Sequence, residues 1–237
     1  AHSPMNLEEL RTLTQRTVLF CRAPWLLPVH LPEQRKPAKN RHLVISSLQQ
    51  VKGAELMIQA AAIAGNSIKD ICIYWAGDDS YSAPGGQLTS AYLEKKYPET
   101  WGRQFVWLKQ KNREEINRLL CETEAVIIPS LWDTFNYVVP ETVYQEIPLI
   151  VSDKTSAAYL VKDHPSVTIF PAADADALAT LLIHFDTAGK TRPPGISTEY
   201  DLKDYFSPDK ILNERMPVYK ELLKKKDIPF ITGEKDL

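Results

Sequence analysis

The stretch from Ala125 to Asp153, AVIIPSLWDTFNYVVPETVYQEIPLIVSD, leaves few folds open. Ala125 to Ile128 is a short apolar run rich in β-branched residues, which suits a buried strand. Pro129 and Ser130 end it, and Leu131 to Asn136 form a polar and aromatic loop. Tyr137 to Glu146 reads as a helix with Val138, Val139 and Thr142 on one side. Pro148 stops it, and Leu149 to Val151 make the next strand. A strand–helix–strand unit of this kind is parallel and right-handed. Its loop falls at the carboxyl end of a strand, where open α/β sheets bind ligands.

The same alternation extends through the chain. His42 to Leu48, Ile71 to Gly77, Phe105 to Lys109 and Val167 to Phe170 read as further strands. Between and after them, Ala54 to Ala64, Gln87 to Tyr97, Arg113 to Cys121, Ser156 to Val161 and Asp174 to Phe185 read as helices. Asn112 is placed to cap the helix from Arg113; Ile116, Leu119 and Leu120 face inward on it, and Arg113, Glu114, Glu115 and Arg118 outward. Gly77-Asp78-Asp79 is a turn, and the Gly-, Ser- and Pro-rich tract Ser80 to Gln87 reads as mobile. Such a pattern predicts a doubly wound, Rossmann-like sheet of about six mainly parallel strands.

The flanks read differently. Leu7 to Leu13 has helical spacing and Thr17 to Cys21 is strand-like, while Pro24, Pro28, Pro32 and Pro37 keep Arg22 to Lys39 from regular helix. Residues 1–41 therefore read as the end of a preceding domain plus a linker, residues 42–187 as the main domain, and residues 188–237 as a linker and C-terminal helix. That helix, Pro208 to Lys225, would face Ile211, Met216, Tyr219 and Leu222 inward.

Within the central unit two carboxylates stand eight positions apart, Asp133 in the loop and Glu141 on the helix. The helix start between them offers free backbone N–H groups and the positive end of a dipole, which suits a phosphate. A carboxylate further along can accept hydrogen bonds from the paired hydroxyls of a sugar.

The pattern Pro129-Ser130, Asp133, Phe135, Glu141, then Pro148 and Val151-Ser152-Asp153, resembles the acid-x7-acid signature of retaining glycosyltransferases of the GT-B fold, the large family-four type. The resemblance covers roughly Leu43 to Phe185 and implies that the main domain is the C-terminal, nucleotide-sugar-binding half of such an enzyme. It implies Glu141 as the ribose ligand, Asp133 as the contact to the donor sugar, and Phe135, Asn136 and Tyr137, at the loop end and helix start, as further nucleotide-sugar-binding residues. The family's loop reads E-G-F-G. Asn136 stands where the second Gly would, and tolerates left-handed backbone angles better than most residues. The family's G-R-L-x-x-x-K-G corresponds to Ser46-Ser47-Leu48-Gln49-Gln50-Val51-Lys52-Gly53. Lys52 would hold the donor diphosphate, whereas Ser47 replaces an arginine whose bidentate grip a hydroxyl cannot reproduce. Lys109 replaces a glycine beside the base pocket, Asp78 would lie near the ligand, and Thr155-Ser156-Ala157-Ala158-Tyr159 stands where many members have G-G-x-x-E.

The family uses no metal, and the residues supply no fitting ligand spacing: Asp174-Ala175-Asp176 reads as a helix start, and three cysteines with five scattered histidines give no site. No cofactor is expected beyond the donor itself, a UDP- or GDP-linked sugar. The partners implied are a glycan or lipid-linked acceptor, held by an N-terminal acceptor domain of which residues 1–41 are too few to be more than the end. Net charge of −2 suggests neither nucleic acid nor an anionic membrane as a bulk partner. No run reads as membrane-spanning, and reduced thiols fit a cytoplasmic protein, peripheral at most to an inner membrane face. Two alternatives stay open. One is a degenerate domain serving as a binding or scaffold subunit, favoured by the losses at Ser46, Ser47, Lys109 and Tyr159; the other is a GT-B epimerase.

Overall fold

Alternation in the sequence becomes six strands, all parallel, in a computed structural model that describes residues 4–14, 21–22, 35–188 and 202–226. The strands are β1 (Arg41–Ile45), β2 (Cys72–Ala76), β3 (Phe105–Lys109), β4 (Ala125–Ile128), β5 (Leu149–Ser152) and β6 (Val167–Phe170). Helices α1 (Pro4–Leu13), α2 (Ala54–Gly65), α3 (Thr89–Lys96), α4 (Arg113–Glu122), α5 (Val138–Tyr144), α6 (Ala158–Val161), α7 (Ala175–Ala188), α8 (Leu202–Tyr205) and α9 (Pro208–Lys226) complete the described elements. The chain divides into two compact units, Leu27–Tyr200 and the pair of segments Ala1–Leu26 and Asp201–Leu237. The expected strand before Cys21, most of the proline-rich crossing after Arg22 and the linker after Ala188 lie outside the described residues.

The sheet order is β3-β2-β1-β4-β5-β6. Succession therefore runs outward from β1 to β3 on one side, then restarts beside β1 at β4 and runs outward the other way. This is the doubly wound arrangement expected, and its switch point lies between β1 and β4. Right-handed crossovers place α2 and α3 on one face and α4, α5 and α6 on the other.

Side chains sort by the period of two that a strand imposes. Val44, Ile73, Trp75, Ile127 and Ile150 join one buried cluster with Met57, Ile58 and Ala61 of α2 and Leu178 and Leu182 of α7. Their neighbours Leu43, Val126, Ile128, Leu149 and Val151 are equally buried and turn to the opposite face. Near-continuous apolar strands such as Ala125–Ile128 follow from this two-sided burial.

Strand β1 ends earlier than its apolar run suggests. Ser46 N–H still bonds Ala76 O at 3.0 Å, but Leu48 N–H turns to Asp78 O at 2.6 Å, so the chain leaves the ladder for the loop. The tract Ser80 to Gln87 is more ordered than its composition suggests. Ser80 Oγ donates to Leu48 O at 2.8 Å, Ser82 Oγ accepts from Gln50 N–H at 3.0 Å, and Pro84–Gly86 form a 3-10 turn. Within the other unit, the Arg22 guanidinium pairs with Glu214 at 2.9 Å and lies 4.7 Å from the Tyr205 ring centre. On α9 Ile211 is buried as expected, but Met216 and Tyr219 are exposed. Among the described residues no helix is long and apolar enough to cross a membrane.

Helices α2 and α3 are joined by a polar network around Glu55. Its carboxylate accepts from Lys96 Nζ at 2.5 Å, Tyr97 OH at 2.8 Å and Tyr92 OH at 3.3 Å. Burial alone would push the Glu55 carboxyl up, but bonds from Lys96 and the two tyrosines outweigh it and hold it below the usual glutamate range. A carboxyl with a lowered folded pKa stabilises at neutral pH, and that contribution is lost as pH falls through the folded value. Glu55→Gln should therefore flatten the decline of stability with acid. Urea melts between roughly pH 3 and 6 would check this, with parent and variant diverging most at the upper end.

Candidate functional site at the strand switch point

Two loops meet where the strand order reverses, and one glycine lets them. Gly53 precedes α2 with φ of 80°, a left-handed conformation. A Cβ built there would lie 1.9 Å from Pro129 O, the carbonyl that ends β4. Beside this contact Leu131 N–H donates to Val51 O at 2.9 Å. The β1–α2 loop and the β4–α5 loop are thus in direct backbone contact. Lys52 rides on the first and Asp133 on the second, and they form an ion pair with Lys52 Nζ 2.7 Å from Asp133 Oδ2.

Asp133 is buried within a polar cluster. Its Oδ2 also accepts from Asn136 Nδ2 at 3.0 Å, and Ser130 Oγ stands 3.5 Å away. Its backbone N–H bonds Lys154 O at 3.0 Å and its carbonyl accepts from Ser156 N–H at 3.1 Å, fixing the loop to the end of β5. Ser152 Oγ donates to Ser130 O and lies 3.0 Å from Thr155 Oγ1. Ser156 is fully buried, and its hydroxyl has no hydrogen-bond partner among the described residues. A buried acid is thus paired with a partly exposed ammonium beside buried hydroxyls, chemistry suited to a polar, phosphate-bearing ligand.

Asn136 holds its place for a different reason than expected. The non-glycine residues with positive φ among those described are Asn40, Lys109, Glu146 and Ala173. Asn136 is not left-handed; its amide bridges Asp133 and the start of α5, with Oδ1 accepting from Val138 N–H at 3.0 Å. That bond also bears on the expected anion site. One backbone donor at the helix start is already used, and α5 has only 7 residues. Phe135 is buried and packs edge-on against the exposed Tyr137, ring centres 5.1 Å apart, which stiffens the loop.

Glu141 lies in the first turn of α5, with its side chain 23% exposed, and its Oε2 receives Arg113 Nη1 at 3.1 Å. Arg113 faces outward as its spacing predicts, but it is not merely a solvated helix residue: it meets the acid most central to the nucleotide reading. Local spacing gives no hint of this, because the partners come from different helices 28 positions apart.

Lys109 occupies the position where the resembling family has glycine, and it keeps a glycine-like backbone with φ of 61°. Its carbonyl accepts from Gly77 N–H at 3.0 Å, and its ammonium reaches over the Trp107 ring, 5.9 Å from the centre. The exposed side chain therefore turns along its own strand. Ser47 is exposed at the end of β1 and Ser46 is clamped: Trp75 Nε1 donates to Ser46 O at 2.7 Å, and a Cβ on Gly77 would lie 1.9 Å from that oxygen. Asp78 is exposed, and its backbone carbonyl accepts from Leu48 N–H of the β1–α2 loop. The adjacent Asp79, not singled out from sequence, caps α3 through Ser90 N–H at 3.2 Å and the Ser90 hydroxyl. No set of three or more His, Cys, Asp or Glu residues that could hold a metal occurs among the described residues.

Two consequences can be measured. Gly53→Ala forces a methyl group into Pro129 O at a left-handed position, and should lower stability by roughly 2 kcal/mol or more in urea melts. Lys52→Ala leaves a buried carboxylate without its cation, though still bonded to Asn136, and should lower stability by about 1–3 kcal/mol.

The chain matches the family described as glycosyl transferases group 1 over residues 31–192. No curated protein matches it by sequence. Solved structures share the fold at low identity. A point mutant of TarM from S. aureus, crystallised with Fondaparinux, alpha-GlcNAc-glycerol and UDP, aligns with a TM-score of 0.69 at 10% identity, covering 92% of this chain and 42% of that one. WaaG, a glycosyltransferase involved in lipopolysaccharide biosynthesis, aligns with a TM-score of 0.63 at 15% identity, covering 78% of this chain and 52% of that one. The C-terminal domain of LpcC, a glycosyl transferase group 1 family protein from Francisella tularensis, gives a TM-score of 0.55 at 16% identity, covering 84% and 95%. This chain thus spans about half the length of the first two. With a family match over more than half its residues and the doubly wound half of a GT-B architecture, the chain belongs to the glycosyl transferases of group 1.

Proposed function

We propose that this chain is the donor-binding half of a retaining glycosyltransferase, one that moves a hexosyl group from a nucleoside diphosphate sugar to a glycan or lipid-linked acceptor. The observation that carries the reading is the meeting of Lys52 with Asp133 at the switch point, with Glu141 on the helix that follows. These three stand where the family pattern asks for a diphosphate cation, a donor-sugar acid and a ribose acid.

The roles follow from charge. As the bond between sugar and diphosphate breaks, negative charge grows on the departing phosphate oxygen. A preorganised cation in a partly dry site stabilises it. Lys52 is that cation, and on donor binding it turns from Asp133 to the diphosphate. Asp133, still held by Asn136, then accepts from a hydroxyl of the donor sugar and orients it. Glu141 accepts from the ribose hydroxyls. No step in this scheme is routed through a metal. With Ser47 in place of an arginine, the grip on the diphosphate is weaker and rests more heavily on Lys52. UDP is the first candidate nucleotide, since TarM and this chain share the fold and TarM was crystallised with UDP. The acceptor is held by a second domain like the further half that the longer neighbours contain.

Calorimetric titration with UDP, GDP, ADP and dTDP tests this. One nucleotide should bind selectively, and Glu141→Ala should weaken it at least about tenfold, or 1.4 kcal/mol. Absence of binding by all four at about 1 mM would overturn the donor-site reading and favour a scaffold role. The 237-residue chain alone should transfer no sugar to any acceptor; detected transfer would overturn its assignment as half of an enzyme.

A further inference from the structure

We infer that Arg113 is the positioning residue of the nucleotide site: its guanidinium holds the Glu141 carboxylate in the orientation that accepts the ribose hydroxyls. The inference rests on Glu141 being the ribose ligand, as proposed above, and adds a residue that the family pattern does not name.

Three observations carry it. Arg113 Nη1 lies 3.1 Å from Glu141 Oε2, and the two come from separate helices, both of which start at the carboxyl rim of the sheet. Arg113 is also rooted on a fixed backbone. It is the first residue of α4, directly after Asn112, and a reciprocal capping box locks that start: Asn112 Oδ1 accepts from Glu115 N–H at 2.9 Å while Glu115 Oε2 accepts from Asn112 N–H at 2.9 Å. Finally, fold stability does not account for the pair. The arginine side chain is 52% exposed, and ion pairs that open to water contribute little to folding.

The effect on a ligand would be larger than on the fold. A glutamate side chain has several rotamers, and an acid that must find one of them on binding loses affinity. A guanidinium that rises from a capped helix start and already bonds the acid narrows that search. The carboxylate can do both jobs, because its two oxygens offer about four acceptor positions. A nucleotide lying over the pair also excludes water from it, and the attraction between Arg113 and Glu141 grows as the surroundings become less polar. A lysine there would give only a point charge without the planar fork that sets the angle of the acid.

The test compares the affinity of UDP with that of 2′,3′-dideoxy-UDP, or of the corresponding GDP or ADP pair if the titration above selects that base; selection of dTDP, which lacks the 2′-hydroxyl, would overturn the inference. Arg113→Ala should weaken the ribonucleotide about tenfold and leave the dideoxy compound within about twofold of the parent. The double variant Arg113→Ala/Glu141→Ala should be no weaker than Glu141→Ala alone, because the arginine acts through the acid. Arg113→Gln should repeat the pattern if the alanine variant does not fold, and Arg113→Lys should recover only part of the loss. An equal loss for both nucleotides would mean that Arg113 acts as a general cation, and would overturn the inference; so would no loss, or tighter binding. Loss in Glu141→Ala with none in Arg113→Ala would sink this inference while leaving the donor-site reading intact. Failure of the parent chain to bind any of the four nucleotides would overturn both.

Discussion

The contact between Gly53 and the carbonyl of Pro129 is the constraint on which the site depends. Two strands that are adjacent in the sheet but distant in sequence end side by side, and their loops can touch only if one loop carries no Cβ at the crossing. The left-handed turn at Gly53 also starts α2, so one residue both ends the loop and begins the helix that packs beneath the sheet. Given that contact, Lys52 and Asp133 meet without further adjustment. Given their pairing, a buried carboxylate is tolerable beside apolar strands.

Much of this fold is legible in the sequence because its determinants are local. Three strands, β3, β4 and β6, have the bounds that their apolar runs suggest, and the capping box at Asn112 rests on two residues three apart. The site is legible only as a list. Sequence points to Lys52, Asp133 and Glu141 but is silent on their partners, because those are set by strand order and not by spacing. Arg113 reads as an outward helix residue, which it is, while the acid it meets lies on another helix. Asp79 escapes notice beside Asp78 for a similar reason: which of two adjacent turn acids caps the next helix depends on where a turn points. Asn136 shows how the structural reason for a residue can differ from the one its type suggests. Its backbone is ordinary, and its value is in an amide that both donates and accepts.

The departures from the family pattern also change meaning once placed. Lys109 stands for a glycine yet keeps a left-handed backbone, held by the bond from Gly77 to its carbonyl. The strand end keeps its shape at the expense of local strain, and the long side chain lies over its own tryptophan. Ser46 is likewise a backbone position, its carbonyl gripped by Trp75 and approached closely by Gly77, so its contacts here are made by the main chain. Ser47 remains the substitution in this loop that exchanges a bidentate cation for a neutral hydroxyl.

Charge balance at the rim has a consequence for how a ligand arrives. Lys52 is matched by Asp133 and Arg113 by Glu141, so both of these cations have an anion within hydrogen-bonding distance. Such dipoles fade faster with distance than a bare cationic patch, and salt screens what remains within about 8–10 Å. These two pairs therefore do little to draw a polyanion in from afar. Only the Lys52–Asp133 pair has to open on binding, while the Arg113–Glu141 pair stays closed beneath the ribose, so capture gains little from these two cations at long range and final affinity is decided by contact.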